Sequence, residues 1–534
     1  MNLEALLSAR LTGILDEPAV RRSPHADFQS GAALALARVR RKQPREIAAD
    51  VVARANLAGL ASAEVSGPGF VNFTISDAVL AAAATEVARD PRLGVPRTGH
   101  PETVLVDYSG PNAAKELTVG HLRPTVIGDA VVRVLEWLGH DVIRANHLGD
   151  WGTSFGMLIE HVINTGDDSY QRARARFDTD ADFKARAQRR VVLLQSGDPE
   201  TLRWWERLVT ESKRDFLDAY ERLGVTLTEG DFAGESSYQP WLAEVVDELT
   251  AKGLLVESDG ALCAFPFGRD HAPLIVRKSD GGYGYATTDL AALRYRTQEL
   301  PATRLLYVVG APQRTHFAMV FAVARAAGWL PDGVHAEHVA FGSILGPDGR
   351  MFRSRSGASV KLAELLDEAV ARAGELTTDP AVAAAVAVGA VKYADLSSDR
   401  TGDYVFDWDR MLALTGNTGP YLQYAYARIS SILDRAGAVT PAAVTVTDPA
   451  ERALVLELLA FEPVMTGVAG SLELHRLTGY LHTLAALFST FYERCPVLRA
   501  PDGVRESRLT LCLLTGRILR RGLDLLGIAT PARL

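Results

Sequence analysis

The sequence predicts an α/β protein: a parallel-sheet core, preceded by a smaller α+β domain and followed by an all-α bundle. Three observations predict it. Residues 103–163 run as short apolar strand, helix, strand and helix, a βαβ spacing that requires a parallel sheet. Residues 1 to about 98 mix helical patterns with a strand, a Gly-Pro turn and a second strand. From Lys361 onward the apolar spacing is near 3.6 and β-branched alternation is scarce. The expected division is therefore 1–98, 99–360 with an insertion at about 164–270, and 361–534.

In order along the chain, residues 3–15, 32–41 and 44–60 read as helices, 63–75 as strand–turn–strand around Gly67-Pro68, and 78–89 as helix. Residues 94–101, with two prolines and two glycines, read as a linker. Residues 103–108 form a strand, a Gly-Pro-Asn loop follows, and a helix runs to about Leu138. Residues 141–146 and 153–163 continue as strand and helix. Residues 304–310, 315–328 and 338–341 supply a further strand, helix and strand. The segment 172–190 is helical and rich in arginine, either a solvated face or a phosphate-contacting one. In the last third, Leu454, Leu458, Leu459 and Phe461, then Leu481, Leu484, Leu487, Phe488 and Phe491, fit helix faces packed in a bundle.

Composition narrows the function. Of 534 residues 47% are hydrophobic and 23% charged, a globular balance with ample core. No apolar run of 18 residues is read, so no membrane span is expected, and the start lacks the basic and apolar segments of a signal peptide. Cys263, Cys495 and Cys512 lie too far apart for a disulfide framework or a zinc site, and suggest a reducing, cytoplasmic setting with no metal bound by the protein itself. The net charge of −8 argues against a general nucleic-acid binder but leaves a local basic surface open.

The most informative stretch is 107–123, Asp-Tyr-Ser-Gly-Pro-Asn-Ala-Ala-Lys-Glu-Leu-Thr-Val-Gly-His-Leu-Arg, where the first core strand gives way to its helix. That is the ligand end of an open α/β sheet, and a helix start offers free N–H groups to phosphate. Thr118 and His121 are three apart and share a face if the first turn includes both. Gly120 leaves room for a nucleotide to approach the backbone, and Lys115 adds a mobile positive charge.

This stretch resembles the HIGH signature of class I aminoacyl-tRNA synthetases, and its flanks resemble the arginyl-tRNA synthetases in particular. The resemblance rests on Pro111-Asn112, Lys115, Gly120-His121-Leu122-Arg123, Gly128-Asp129 and Gly149-Asp150-Trp151-Gly152-Thr153. It continues through Ala286-Thr287-Thr288-Asp289-Leu290-Ala291, 404–411 and 416–428, and Gly67-Pro68-Gly69-Phe70 to Phe73 resembles the end of that family's tRNA-contacting N-terminal domain. It spans essentially the full chain.

The resemblance implies a Rossmann-type catalytic core that activates L-arginine with ATP, magnesium travelling with the nucleotide, and passes the arginyl group to the 3′ end of tRNA(Arg). A monomer is expected. His121 would face ATP together with Thr118, Gly120 and Lys115. The second signature loop of the class is held here by 349–357; its usual lysine is absent, Ser354 falls near that slot, and Arg353 and Arg355 remain as cations. Lys115 would substitute for the missing lysine. Asp107, Tyr285 and Asp289 map to positions that bind the arginine guanidinium, a planar cation that asks for carboxylates and a flat partner. Asn112 and Gln313 map to positions that hold its α-amino and carboxylate end. Phe70, Tyr421, Gln423, Tyr424 and Arg428 fall in stretches resembling the tRNA-contacting regions, where aromatic rings stack on bases and arginine holds phosphate; some of these tyrosines belong to the core.

Three positions depart from the family. The first His of HIGH is Thr118, Pro124 stands where Ser is common, and Gly110 where Ser or Ala is usual. They leave three readings: a working arginyl enzyme with a modest handicap, a specialised or inhibitor-evading copy serving a biosynthetic pathway, and a non-catalytic tRNA-binding regulator.

Overall fold

The computed structural model describes residues 2–352 and 360–534. The N-terminal region is a four-stranded antiparallel sheet in the order Val20–Ser23, Ala26–Ser30, Phe70–Ile75, Ala61–Ser66, packed with the helices Leu3–Leu11, Ala32–Arg40, Pro44–Arg54 and Asp77–Arg89. The hairpin 63–75 read from the sequence is present. The two strands before it were not anticipated: Val20–Ser23 is an edge strand with two exposed arginines at its centre, so it lacks apolar alternation. The helices expected over 3–15 and 44–60 stop at Leu11 and Arg54, each with an extended C-cap residue.

The core is a four-stranded parallel sheet in the order His335–His338, Arg304–Tyr307, Thr103–Asp107, Asp141–Ala145. The last strand was expected at 338–341. Instead Arg304 pairs with His335 and Tyr307 with His338, and 339–341 run on past the strand end. Side chains alternate across the central strand. Val104 and Val106 join a large core continuous with the N-terminal region and the bundle, whereas Leu105 joins a second core with Leu305, Tyr307 and Phe317 under the opposite face. The helix Leu122–Leu138 is buried along most of its length and presses on the strand end: a Cβ on Gly128 would sit 2.3 Å from the Tyr108 side chain.

The arginine-rich segment forms the helices Tyr170–Thr179 and Ala181–Gln195. Its cations are largely spoken for. Arg174 and Arg176 pair with Asp178 and Asp180 one turn on, Arg172 with Asp167, and Arg186 and Arg190 with Glu160. A solvated, internally paired face describes it better than a phosphate surface.

The last third is helical from Leu362–Ala373 through Val504–Leu525, apart from Tyr404–Val405, which pairs with Ile344–Leu345. Within residues 449–471 an 18-residue window reaches a mean hydropathy of 1.5, enough by length and composition for a membrane span, which the sequence reading did not single out. Here they fold as two helices, Pro449–Leu458 and Phe461–Ser471, broken at Leu459-Ala460, with Leu454, Leu458, Phe461 and Met465 in the bundle core. The first of these also closes onto the N-terminal sheet. Arg452 makes two bonds of 2.7–2.8 Å to Asp27 and one of 2.8 Å to Asp77, and Arg22 reaches Glu457 at 2.7 Å. Between bundle and core, the wholly buried Lys392 donates to the Leu223 carbonyl at 2.8 Å, and burial pushes its pKa down to about 8.

Candidate active site

The site is built where the strand Thr103–Asp107 ends. The chain turns there through two successive left-handed residues, Ser109 (φ 70°) and Gly110 (φ 55°). A Cβ at Gly110 would lie 3.6 Å from the His147 carbonyl, an ordinary contact. The backbone angle, rather than room in the pocket, therefore explains the glycine. A buried network pins the turn. Gly110 N–H donates to Asn146 Oδ1 at 3.0 Å, Asn146 Nδ2 donates to Tyr220 at 2.9 Å, and Tyr220 sits 2.7 Å from Ser109 Oγ, itself 2.9 Å from Thr125 Oγ1. None of Ser109, Thr125, Asn146 or Tyr220 was singled out from sequence.

The loop then reaches Thr118, which caps the short turn Val119–His121 leading into the helix Leu122–Leu138. Thr118 N–H donates to His121 Nδ1 at 3.0 Å, and Thr118 Oγ1 lies 3.3 Å from the same nitrogen. The two residues expected to share a face thus hold one another. Since Nδ1 accepts, the neutral imidazole carries its proton on Nε2. Burial lowers the His121 pKa, the bond to Thr118 raises it and the charge of Lys115 lowers it again, leaving it below its ordinary value. Pro124 is the third residue of the helix, within the first turn, where a missing N–H costs nothing. Gly120 is exposed at the mouth, and Lys115 is exposed with its ammonium 4.8 Å over the Tyr170 ring. Among the described residues Lys115 makes no ion pair, so its charge remains available.

The Tyr285–Asp289 side is more tightly charged. Tyr285 opens the helix Tyr285–Gln298 and Asp289 lies one turn on. Both meet His316: the Tyr285 ring is 4.9 Å from the imidazole, and Asp289 Oδ2 is 2.6 Å from His316 Nε2. Tyr285 is 67% exposed, so its outer face is free to cover a ligand. Asp289 Oδ1 faces His147 Nε2 at 3.7 Å, too far for a hydrogen bond. Glu235 stands close by, its pKa raised by burial, lowered by His147 and raised again by the Asp289 charge.

Asp107 differs from its expectation. Its Oδ2 is held at 2.7 Å by Arg296, a wholly buried guanidinium of the same chain, and its Oδ1 accepts the His147 N–H at 3.2 Å. An internal cation thus already neutralises the carboxylate expected to bind a ligand guanidinium. His147 then joins the carboxylates, its backbone on Asp107 and its ring beside Asp289. Asn112 Oδ1 accepts the Ala114 N–H at 3.2 Å, and Gln313 is exposed at the turn Ala311–Gln313 that leads into the helix bearing His316.

Arg353, Ser354 and Arg355 lie outside the described residues. Of the expected tRNA contacts, Gln423 is corrected. It is fully buried, and its amide donates to the Ala385 and Ala529 carbonyls at 3.0 and 2.8 Å, tying helices together. Tyr421 packs on the core beside His482, Arg428 lies 4.4 Å over the Tyr492 ring, Tyr424 points outward at 47% exposure, and Phe70 is half-buried at its hairpin. Among the described residues no group of three or more His, Cys, Asp or Glu gathers as a cation site.

The family model for the catalytic domain of class I (R) tRNA synthetases matches residues 85–408. The chain belongs to the arginyl-tRNA synthetase family. The model for the arginyl-tRNA synthetase N-terminal domain matches residues 2–75, and that for the DALR anticodon-binding domain residues 422–534. An arginine–tRNA ligase of Thermobifida fusca (strain YX) is 52% identical, over 97% of this chain and 95% of its own length. Among solved structures, the Plasmodium falciparum arginyl-tRNA synthetase superposes with a TM-score of 0.86 at 28% identity, covering 100% of this chain and 98% of its own. The Thermus thermophilus arginyl-tRNA synthetase gives 0.84 at 26%, covering 100% and 99%.

Proposed function

We propose that this chain ligates L-arginine to tRNA(Arg) through an arginyl-adenylate, using ATP. The observation that carries the reading is that one strand end, Asp107, leads directly into the loop that presents Lys115 and the Thr118–His121 cap, and through His147 meets the Asp289 carboxylate. A phosphate-facing half and a guanidinium-facing half thus share one support. In the first step the arginine carboxylate attacks the α-phosphorus and pyrophosphate leaves. Charge builds on the phosphate oxygens, where Lys115 and the Nε2–H of neutral His121 act as donors and Thr118 holds the imidazole. In the second step a hydroxyl at the tRNA 3′ end attacks the activated carbonyl and AMP leaves. Asp289, oriented by His316, takes the guanidinium of arginine, and Tyr285 covers it. Asp107 supports the pocket through Arg296 rather than binding arginine itself. Asn112 and Gln313 line the α-amino and carboxylate end, and Arg353, Ser354 and Arg355 keep the phosphate role that the sequence resemblance implies.

On this reading Mg2+ enters with ATP, the enzyme works in the cytoplasm as a monomer, and the chain divides at about 98 and 360. Phe70 and Tyr424 meet tRNA, Arg428 and Tyr421 support that surface from within, and Gln423 is structural. The relatives at about 50% identity are arginine–tRNA ligases, and nothing favours a specialised or non-catalytic copy. The test is aminoacylation of tRNA with a panel of amino acids. Arginine alone should be charged, and a folded protein that charges no tRNA with arginine would remove the reading.

A further inference from the structure

Away from the strand ends, the linker after the N-terminal region meets the last helix of the bundle and the far end of the helix Leu122–Leu138. A cavity of about 430 Å3 opens there, lined by Arg517, Arg520, Arg521, Asp524, Pro91 and Leu93 among others. That volume is within the range of small-molecule sites.

Its charge is one-sided. Arg517 is fixed by donating to the Ala88 and Asp90 carbonyls at 2.7 Å each, so its cation meets dipoles rather than a carboxylate. Arg92 is likewise held on carbonyls, those of Val95 and Trp137, with its guanidinium 4.9 Å over the Trp137 ring. Arg521 lies 5.8 Å over the same ring and pairs with Asp524 at 2.8 Å. Arg520 is exposed and makes no ion pair among the described residues. The Asp90 carboxylate is turned to the loop, accepting the N–H groups of Arg92 and Gly94 at 2.9 and 2.8 Å. Asp524 is thus the carboxylate in close contact with these guanidinium groups, while Asp90 acts on Arg92 and Arg517 through its charge alone. Desolvation, and then the neighbouring Arg97, lower the Arg92 pKa; the Asp90 carboxylate opposes them, and Arg521 adds a smaller downward push.

Guanidinium groups preset on backbone carbonyls, beside one with free donors, form the fork-like array that fits phosphate oxygens. We propose that this cavity, at the meeting of all three regions of the chain, is a second anion site that takes a phosphate-bearing ligand of triphosphate size. It is separate from the ATP site proposed above and does not depend on that reading.

The test is calorimetric titration of the full chain with inorganic triphosphate, for wild type and for Arg520→Gln/Arg521→Gln, with arginine-dependent ATP–pyrophosphate exchange measured in parallel. Wild type should show a binding event that weakens at least 10-fold in the variant while exchange stays within twofold. Arg520→Gln alone, which removes an exposed side chain with no ion pair, guards against misfolding and should weaken the event at least threefold. The phosphate could also come from RNA. Triphosphate binding absent in wild type, with tRNA affinity falling in both variants and its salt slope becoming shallower, would keep the phosphate chemistry and assign it to the tRNA backbone. Unchanged triphosphate and tRNA affinity in both variants would overturn the site.

Discussion

The half of the site proposed to take phosphate and the half proposed to take arginine handle charge differently. The Thr118–His121 cap itself is made of a backbone N–H, a hydroxyl and an imidazole; the buried pair nearby, Arg123 with Asp395 at 3.2 Å, belongs to the helix that follows, and Lys115 is exposed and makes no ion pair among the described residues. Around Asp289, by contrast, the Asp107 and Asp289 carboxylates are buried or half-buried and are met by Arg296 and His316 of this chain. On the proposed function, the half that receives a highly charged, mobile nucleotide needs donors that cost little while empty. A half that must select one guanidinium needs fixed negative charge, and in a dry setting that charge survives only if it is held.

The largest test of this contrast is Arg296→Met. It strands the Asp107 carboxylate in the core and should cost roughly 3–5 kcal/mol of stability. Adding Asp107→Leu should recover most of the loss, read as the urea midpoint; no recovery would mean that Arg296 supports the fold through packing on Tyr307 alone. Next, Asp289→Asn should weaken arginine binding by ~2–5 kcal/mol and leave the ATP KM within twofold, so an unchanged arginine KM would dissolve the amino-acid half as drawn. Lys115→Ala should slow single-turnover adenylate formation 10- to 150-fold, from the loss of a charged hydrogen bond worth ~1.5–3 kcal/mol. If tRNA affinity fell instead and activation held, Lys115 would belong to the RNA surface. The smallest effect is expected at Thr118→His, which adds a donor beside His121 and should raise adenylation by about 10-fold at most. A decrease would show that the cap on His121 Nδ1 requires threonine.

The same contrast governs what could be read from sequence. The geometry of 107–123 was legible because its residues are contiguous: they lie on one strand–loop–helix junction, and the Thr118–His121 spacing forecast their contact. Asp289 and Tyr285 were legible as a helical pair, whereas the His316 and His147 that frame Asp289 come from distant segments with no spacing to reveal them. Arg296 was missed for a related reason: an arginine within a helix reads as surface until its buried partner is known. Gln423 went wrong in the other direction, because a polar residue amid tyrosines looks like an RNA contact when its partners, the Ala385 and Ala529 carbonyls, lie far along the chain. In the fold, the βαβ core and the bundle followed from periodicity. The strands Val20–Ser23 and Ala26–Ser30 did not, since half-exposed short strands carry almost no pattern.

The grip of Arg452 on Asp27 and Asp77 has a consequence in time. Arg452 stands 425 residues after Asp27. At the usual pace of translation those residues take about 20–85 s to appear. Until then Asp27, nearly buried in the finished molecule, faces water with no cation to meet it. The antiparallel sheet and its helices therefore emerge first with an acidic face uncovered. Only when the helix Pro449–Leu458 leaves the ribosome can the two ends of the polypeptide close on one another, which makes this junction one of the last to form and sensitive to any interruption of synthesis.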